Sequence, residues 1–212
     1  MTKNKTFIIG DIHGCLSALL NLIEKIKWRP DKDRLIFLGD YIDRGEDSKG
    51  VVDYILSLIN QSSNIQCLKG NHEDMLLNYL NDGDIRTFLY NGGKTTLASY
   101  TRNNGDVYFP SSHIAFYQSL LTMIELDEYY VVHAGFQPGI EIQDQDERDL
   151  LWIRDSFIFS DYDFGKKVIF GHTPFSDPLI MDTKIGLDTG AVYGNRLTCL
   201  ELPSFRFHSV EA

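Results

Sequence analysis

The chain has 212 residues, 43% of them hydrophobic and 24% charged, the balance of an ordinary globular domain rather than a disordered or fibrous chain. Its 30 acidic against 20 basic residues give a net charge of −10, which argues against general nucleic-acid or acidic-membrane binding, since both use a broad basic face. Cys15, Cys67 and Cys199 stand far apart and form no C-x-x-C pair, the apolar run before Gly10-Asp11 is only three residues long, and no apolar stretch has bilayer length, so reduced thiols and a cytoplasmic chain are expected.

In chain order, residues 6–9 (Thr-Phe-Ile-Ile) form the first apolar run of strand length. Leu16, Leu19, Leu20, Ile23 and Ile26 then recur at helical spacing before a second run at residues 35–38. Val51, Val52, Ile55, Leu58 and Ile59 mark a second helix, with Asp47 or Ser48 as its cap, and residues 65–68 a third strand. This β-α-β-α-β order predicts parallel strands covered by helices. A third helix is expected from about Glu73, carrying Leu76, Leu77 and Leu80, and another from about Ser112, carrying Ile114, Tyr117, Leu120 and Leu121. Asn91-Gly92-Gly93 reads as a helix stop. Residues 129–132 and 168–170 are the fourth and fifth strands. After Pro178 the short runs 179–181, 197–202 and 206–210 point to antiparallel pairing. The expected fold is a layered α/β domain with at least one mixed sheet, and no repeat or linker divides it.

Each of the five strands runs into a polar turn. These are Gly10-Asp11-Ile12-His13-Gly14, the stretch 39–45 with Asp40, Asp43 and Arg44, Lys69-Gly70-Asn71-His72-Glu73, His133-Ala134-Gly135, and Gly171-His172-Thr173-Pro174. In α/β sheets ligands collect at the carboxyl ends of the strands. Asp, His and Asn donors suit Mn²⁺, Fe or Zn²⁺. In an extended segment Asp11 and His13, two residues apart, point to one side and can chelate one ion together. Asp11, His13, Asp40, Asn71, His133 and His172 exceed what one tetrahedral ion needs. Two ions about 3.5–4 Å apart and sharing a carboxylate would use all six, clamp a phosphoryl group and lower the pKa of a bridging water. Two carboxylates against two divalent ions leave such a pocket positive within an acidic protein.

Taken together, GDIHG, GDYIDRG, GNHE, VHAG and GHTP resemble the calcineurin-like metallophosphoesterases. Within them they resemble the phosphoprotein phosphatase family, and its short bacterial and phage serine/threonine phosphatases in particular. The resemblance runs from Phe7 to about Leu202 and takes in Leu151-Trp152-Ile153-Arg154 and the late turn 188–194. It implies a layered αββα sandwich of mixed β-sheets flanked by helices, as a single domain over residues 1–212 with a helical insert at about 74–122.

Carried over, the resemblance makes Asp11 and His13 ligands of a first ion, Asp40 the bridge, and Asn71, His133 and His172 ligands of a second. Mn²⁺ is the first choice, with Fe or Zn²⁺ as the others. His72 becomes the general acid, Asp43 orients its ring, and Arg44 and Arg154 grip phosphate oxygens. An imidazolium held by a carboxylate can donate a proton near neutral pH, and a guanidinium pairs two phosphate oxygens at once. Glu46 departs from the pattern, standing after Arg44-Gly45 where many relatives have proline.

His113 and His208 lie apart from the motifs and read as surface or internally satisfied histidines. Cys15 reads as a small core thiol, and Tyr193 as either a pocket or an ordinary turn residue. A Cys-x₅-Arg nucleophile and a P-loop are both absent. The function expected first is a serine/threonine protein phosphatase, acting on phosphotyrosine as well. Its partner would be a phosphoprotein or phosphopeptide, with no nucleic acid and no membrane, and no signal bears on oligomeric state. The alternative is a bis-nucleoside polyphosphate hydrolase of the diadenosine tetraphosphate type. A third class, a catalytically silent metal-binding module, stands against the retention of His72, Asp43 and both arginines.

Overall fold

The computed structural model describes residues 4–81, 83 and 85–212. The first sheet has β1 (Thr6–Ile9), β2 (Arg34–Phe37) and β3 (Ile65–Cys67) parallel, as the sequence order predicts. Two antiparallel strands, β9 (Arg196–Leu202) and β10 (Arg206–Glu211), extend it past β1, giving the order β10-β9-β1-β2-β3. The second sheet combines β4 (Met123–Glu125), β5 (Tyr129–Val132), β6 (Lys167–Phe170), β7 (Leu179–Ile180) and β8 (Lys184–Gly186). Its order is β4-β5-β6-β8-β7, with β5, β6 and β8 parallel and the two edge strands antiparallel.

The alternation of side chains along each strand explains the layering. Ile8 and Ile36 of the first sheet meet Val131, Ile169 and Ile185 of the second in one buried cluster, which is the seam between the sheets. Their neighbours Phe7, Ile9, Leu35 and Phe37 point the other way, onto the helices α1 (Leu16–Ile26) and α2 (Ser48–Ile59). Val132, Val168 and Phe170 likewise face α7 (Glu147–Trp152) and α8 (Asp155–Ile158). Strands covered on both faces have no polar side to show, so they read as unbroken apolar runs. The result is the layered αββα sandwich of mixed sheets.

Helix α3 (Asn71–Leu80) starts two residues before Glu73, because Glu73 is its third residue and reaches back to the Gly70 N–H at 3.0 Å. Asp47 caps α2, its Oδ1 accepting from Gly50 N at 2.8 Å. Beyond α3 lie α4 (Ile85–Phe88), α5 (Lys94–Ser99) and α6 (Ser111–Gln118). Leu120 and Leu121 fall past the end of α6, and Leu121 bridges to Leu68 instead. Gly92, at φ +105°, breaks the helical path between α4 and α5. Among the described residues no helix is long and apolar enough to cross a membrane.

Candidate metal centre

The carboxyl ends of the parallel strands of both sheets converge on one rim. Strands β1, β2 and β3 deliver Asp11, Asp40 and Asn71, and β5 and β6 deliver His133 and His172. All five are buried. Cross-sheet bonds fix the two halves: Asp11 Oδ2 accepts from His172 N at 2.8 Å, and His133 Nδ1 donates to Leu38 O at 2.8 Å.

The backbone is strained where these residues turn. Seven non-glycine residues among those described have positive φ, and five of them are His13, Asp40, Asp43, Arg44 and His172. Left-handed backbone disfavours residues with a Cβ, and such strain gathers where function fixes a side chain. The turn at His13, φ +47°, also departs from the extended segment expected across Asp11 and His13.

Donor atoms crowd in two groups that share Asp40: His13, Asp40 and His72 in one, Asp40, His133 and His172 in the other, each within 4.8 Å. The His133 Nδ1–H bond to a carbonyl leaves its Nε2 lone pair facing Asn71 Oδ1 at 3.1 Å and Asp40 Oδ1 at 3.5 Å. His172 Nδ1 faces the same Asn71 oxygen at 2.9 Å. His13, whose Nδ1 donates to Ile42 O, turns its Nε2 towards Asp40 Oδ2 at 3.4 Å and accepts from Arg44 Nη1 at 2.6 Å. Burial lowers the pKa of His13 to about 3 and of His172 to about 2, and pulls His133 down too, so all three present neutral imidazoles at pH 7.

Lone pairs aimed at oxygens at such distances repel unless a cation lies between them. With metal–ligand bonds of about 2.1 Å, neighbouring ligands sit about 3.0–3.4 Å apart, which the donor spacings match. Asp11 Oδ1 is buried with no hydrogen-bond partner, as a ligand awaiting an ion would be. The neighbouring glycines leave the room: a Cβ at Gly70 would lie 2.1 Å from Asp40 Oδ1, and one at Gly171 2.1 Å from Asp11 Oδ1. The residues therefore fit two divalent cations sharing Asp40.

Beside the donors, His72 Nδ1 bonds Asp43 Oδ2 at 2.6 Å, both groups buried. Burial pushes the Asp43 carboxyl up, opposed by its bonds from His72 and Thr96. Arg44 lies at the His13 end, with its guanidinium 5.8 Å from the Tyr193 ring, so this exposed tyrosine borders the site. Arg154 lies at the other end, its Nη1 donating to Thr173 Oγ1 at 3.2 Å, and Trp152 meets the His172 ring edge at 6.1 Å.

Two carboxylates that the sequence places in turns, Asp188 and Glu73, gain a part at the site only from the structure. Asp188 follows β8 as Asp11 follows β1, so a sixth parallel strand also ends in an acid at this rim. Burial, with Asp40 adding to it, pushes its pKa to about 6. Glu73 accepts from Asp40 N at 2.9 Å, Tyr41 N at 2.8 Å and Gly70 N at 3.0 Å, tying the second strand's turn to the third's. Recognising β8 would have pointed to Asp188.

The remaining polar candidates have local explanations. His113 Nδ1 meets Tyr100 Oη at 2.7 Å and its Nε2 meets Asp53 at 3.0 Å, while His208 meets Glu201 at 2.9 Å. All three cysteines are free, and burial pushes the Cys15 thiol up to about 11, away from the thiolate form.

Paired sheets and two donor groups on one carboxylate define a metallophosphoesterase, and the chain belongs to the calcineurin-like phosphoesterase family, whose sequence model matches residues 5–200. Among its relatives is the asymmetrical bis(5'-nucleosyl)-tetraphosphatase PrpE of Bacillus thuringiensis (strain Al Hakam), 29% identical over 96% of this chain and 92% of that protein. A solved structure of a candidate diadenosine tetraphosphatase superposes with a TM-score of 0.79 at 23% identity, covering 100% of this chain and 95% of that one. A cold-active protein-tyrosine phosphatase of a psychrophilic Shewanella superposes with a TM-score of 0.73 at 17% identity, covering 99% and 80%.

Proposed function

We propose that the chain hydrolyses bis(5'-nucleosyl) polyphosphates of the tetraphosphate class. The observation that carries this reading is the near full-length match to PrpE of Bacillus thuringiensis (strain Al Hakam), 29% identical over 96% of this chain and 92% of that protein. Arg44, bonded to His13, and Arg154, bonded to Thr173, add two guanidiniums beside the donors that can pair phosphate oxygens of such a chain. This reading reverses the order of the two drawn from the sequence.

Asp11, His13 and Asp40 would hold one ion, and Asp40, Asn71, His133 and His172 the other, with Mn²⁺ first and Fe or Zn²⁺ next. Bound there, two divalent ions supply Lewis-acid activation of water and neutralise phosphoryl charge. His72 acts as general acid to the leaving oxygen, with Asp43 holding Nδ1 so that Nε2 faces the site. Arg44 and Arg154 orient the phosphates for in-line displacement.

A serine/threonine phosphatase is the second reading, and the His72–Asp43 pair favours it. A serine alkoxide is a poor leaving group that needs a proton, while a nucleotide leaves as a stabilised phosphate anion. Comparing kcat/KM for diadenosine tetraphosphate and a phosphoserine peptide with Mn²⁺ tests the ranking. A dinucleotide preference of about tenfold or more upholds the first reading, and the opposite preference installs the second. Stoichiometric metal binding without turnover of any phosphoester would leave a silent binding module.

A further inference from the structure

We infer that Thr96, on helix α5 of the helical insert, is a positioning residue for phosphoester cleavage, acting on His72 through Asp43. The sequence reading assigns the insert no part in the chemistry, yet it closes on the catalytic turn at three points. Thr96 Oγ1 donates to Asp43 Oδ1 at 2.5 Å and accepts from Asp43 N at 2.9 Å. Gly92 O accepts from Arg44 N at 3.3 Å, and a Cβ at Gly92 would come within 2.7 Å of Arg44 Cγ. Ser99 Oγ accepts from Lys49 N at 2.9 Å and donates to Asp47 Oδ1 at 3.3 Å, at the cap of α2.

The hydrogen-bond directions follow from counting protons. The Thr96 hydroxyl has one proton, and Asp43 Oδ1 can only accept it when the carboxyl is ionised. Ser48 Oγ, 2.9 Å from Thr96 Oγ1 and 3.0 Å from Asp43 N, then donates to Thr96. With Oδ1 committed to Thr96, Oδ2 is left to the His72 Nδ1–H at 2.6 Å. The carboxylate plane is thereby fixed from both oxygens, and with it the direction of His72 Nε2. Asp43, Ser48 and Thr96 are all fully buried, so the network is shielded from bulk water.

This inference rests on His72 as general acid, and its test separates the two. Thr96→Val, Thr96→Ser and His72→Asn are prepared in the full chain with Mn²⁺. Each is assayed on phenyl phosphate, whose leaving group needs a proton, and on 4-nitrophenyl phosphate, whose leaving group does not. Thr96→Val is expected to lower kcat for phenyl phosphate about 10-fold and for 4-nitrophenyl phosphate less than about 3-fold, with KM unchanged, while Thr96→Ser restores both. Should Thr96→Val fail to fold, Thr96→Ala removes the same oxygen without placing a methyl there and is read by the same split. Equal losses on both esters, or none, in a folded Thr96 variant overturn the inference when His72→Asn shows the split. Equal losses in His72→Asn overturn the general-acid reading itself.

Discussion

The carboxylate of Glu73 holds the backbone of Asp40, the residue common to both donor groups, through a 2.9 Å bond from Asp40 N to Oε2. The same carboxylate takes the N–H groups of Tyr41 and Gly70, so three buried donors depend on one acid. Glu73→Ala would strand all three and open a cavity, at a cost of about 3 kcal/mol or more. Urea denaturation should show this loss, with metal affinity falling alongside. A midpoint within error of wild type would mean the turns hold without it.

Metal removal has its own signature. Neutral His13, His133 and His172 and the unpartnered Asp11 Oδ1 are arranged as ligands, so chelation should lower Tm by about 5 °C or more and Mn²⁺ should restore it in a concentration-dependent way. Gly171→Ala, with its Cβ 2.1 Å from Asp11 Oδ1, should fold but bind metal more weakly by elemental analysis after gel filtration. Full occupancy in that variant would take Asp11 out of the ligand set.

Away from the centre, Glu201 governs acid stability. Burial opposes its ionisation, but bonds from Lys5, His208 and Ser204 outweigh burial and hold the pKa down at about 2. A carboxyl depressed on folding contributes stability that is complete above its unfolded pKa and fades as pH falls through the folded one. Glu201→Gln should therefore cost about 1–3 kcal/mol at pH 7, and the gap to wild type should close between about pH 5 and about pH 2. Urea midpoints at three pH values decide it. A constant gap would assign the effect to packing between β9 and β10.

The sequence exposes the site better than the fold's margins, for physical reasons. Strands β1, β2, β5 and β6 are apolar on both faces, and each ends at a Gly or His beside a donor, so pattern and chemistry coincide. Strand β8 is three residues long and opens on Lys184, a buried amine whose Nζ donates to Ser160 O and Thr183 Oγ1. No local pattern marks it as a strand, so Asp188, although it opens the late turn 188–194, carries no strand-end signal. Thr96 and Glu73 act through partners 53 and 32 residues away, so neither spacing nor periodicity could reveal their roles.

Arg154 offers the clearest division between the two functional readings. Its Nη1 donates to Thr173 Oγ1, next to His172, whereas Arg44 bonds His13. If a polyphosphate lies along the row, Arg154→Ala removes a charged contact that a small aryl phosphate need not use. Its KM for diadenosine tetraphosphate should rise about 10-fold, equivalent to about 1.4 kcal/mol, with 4-nitrophenyl phosphate changed less than about 3-fold. Arg44→Ala, which removes the guanidinium bonded to His13 beside the His72 ring, should instead lower kcat for both. Equal effects of Arg154→Ala on the two substrates would mean that both guanidiniums grip the same phosphoryl group, and the argument for a chain of phosphates would fall to the second reading.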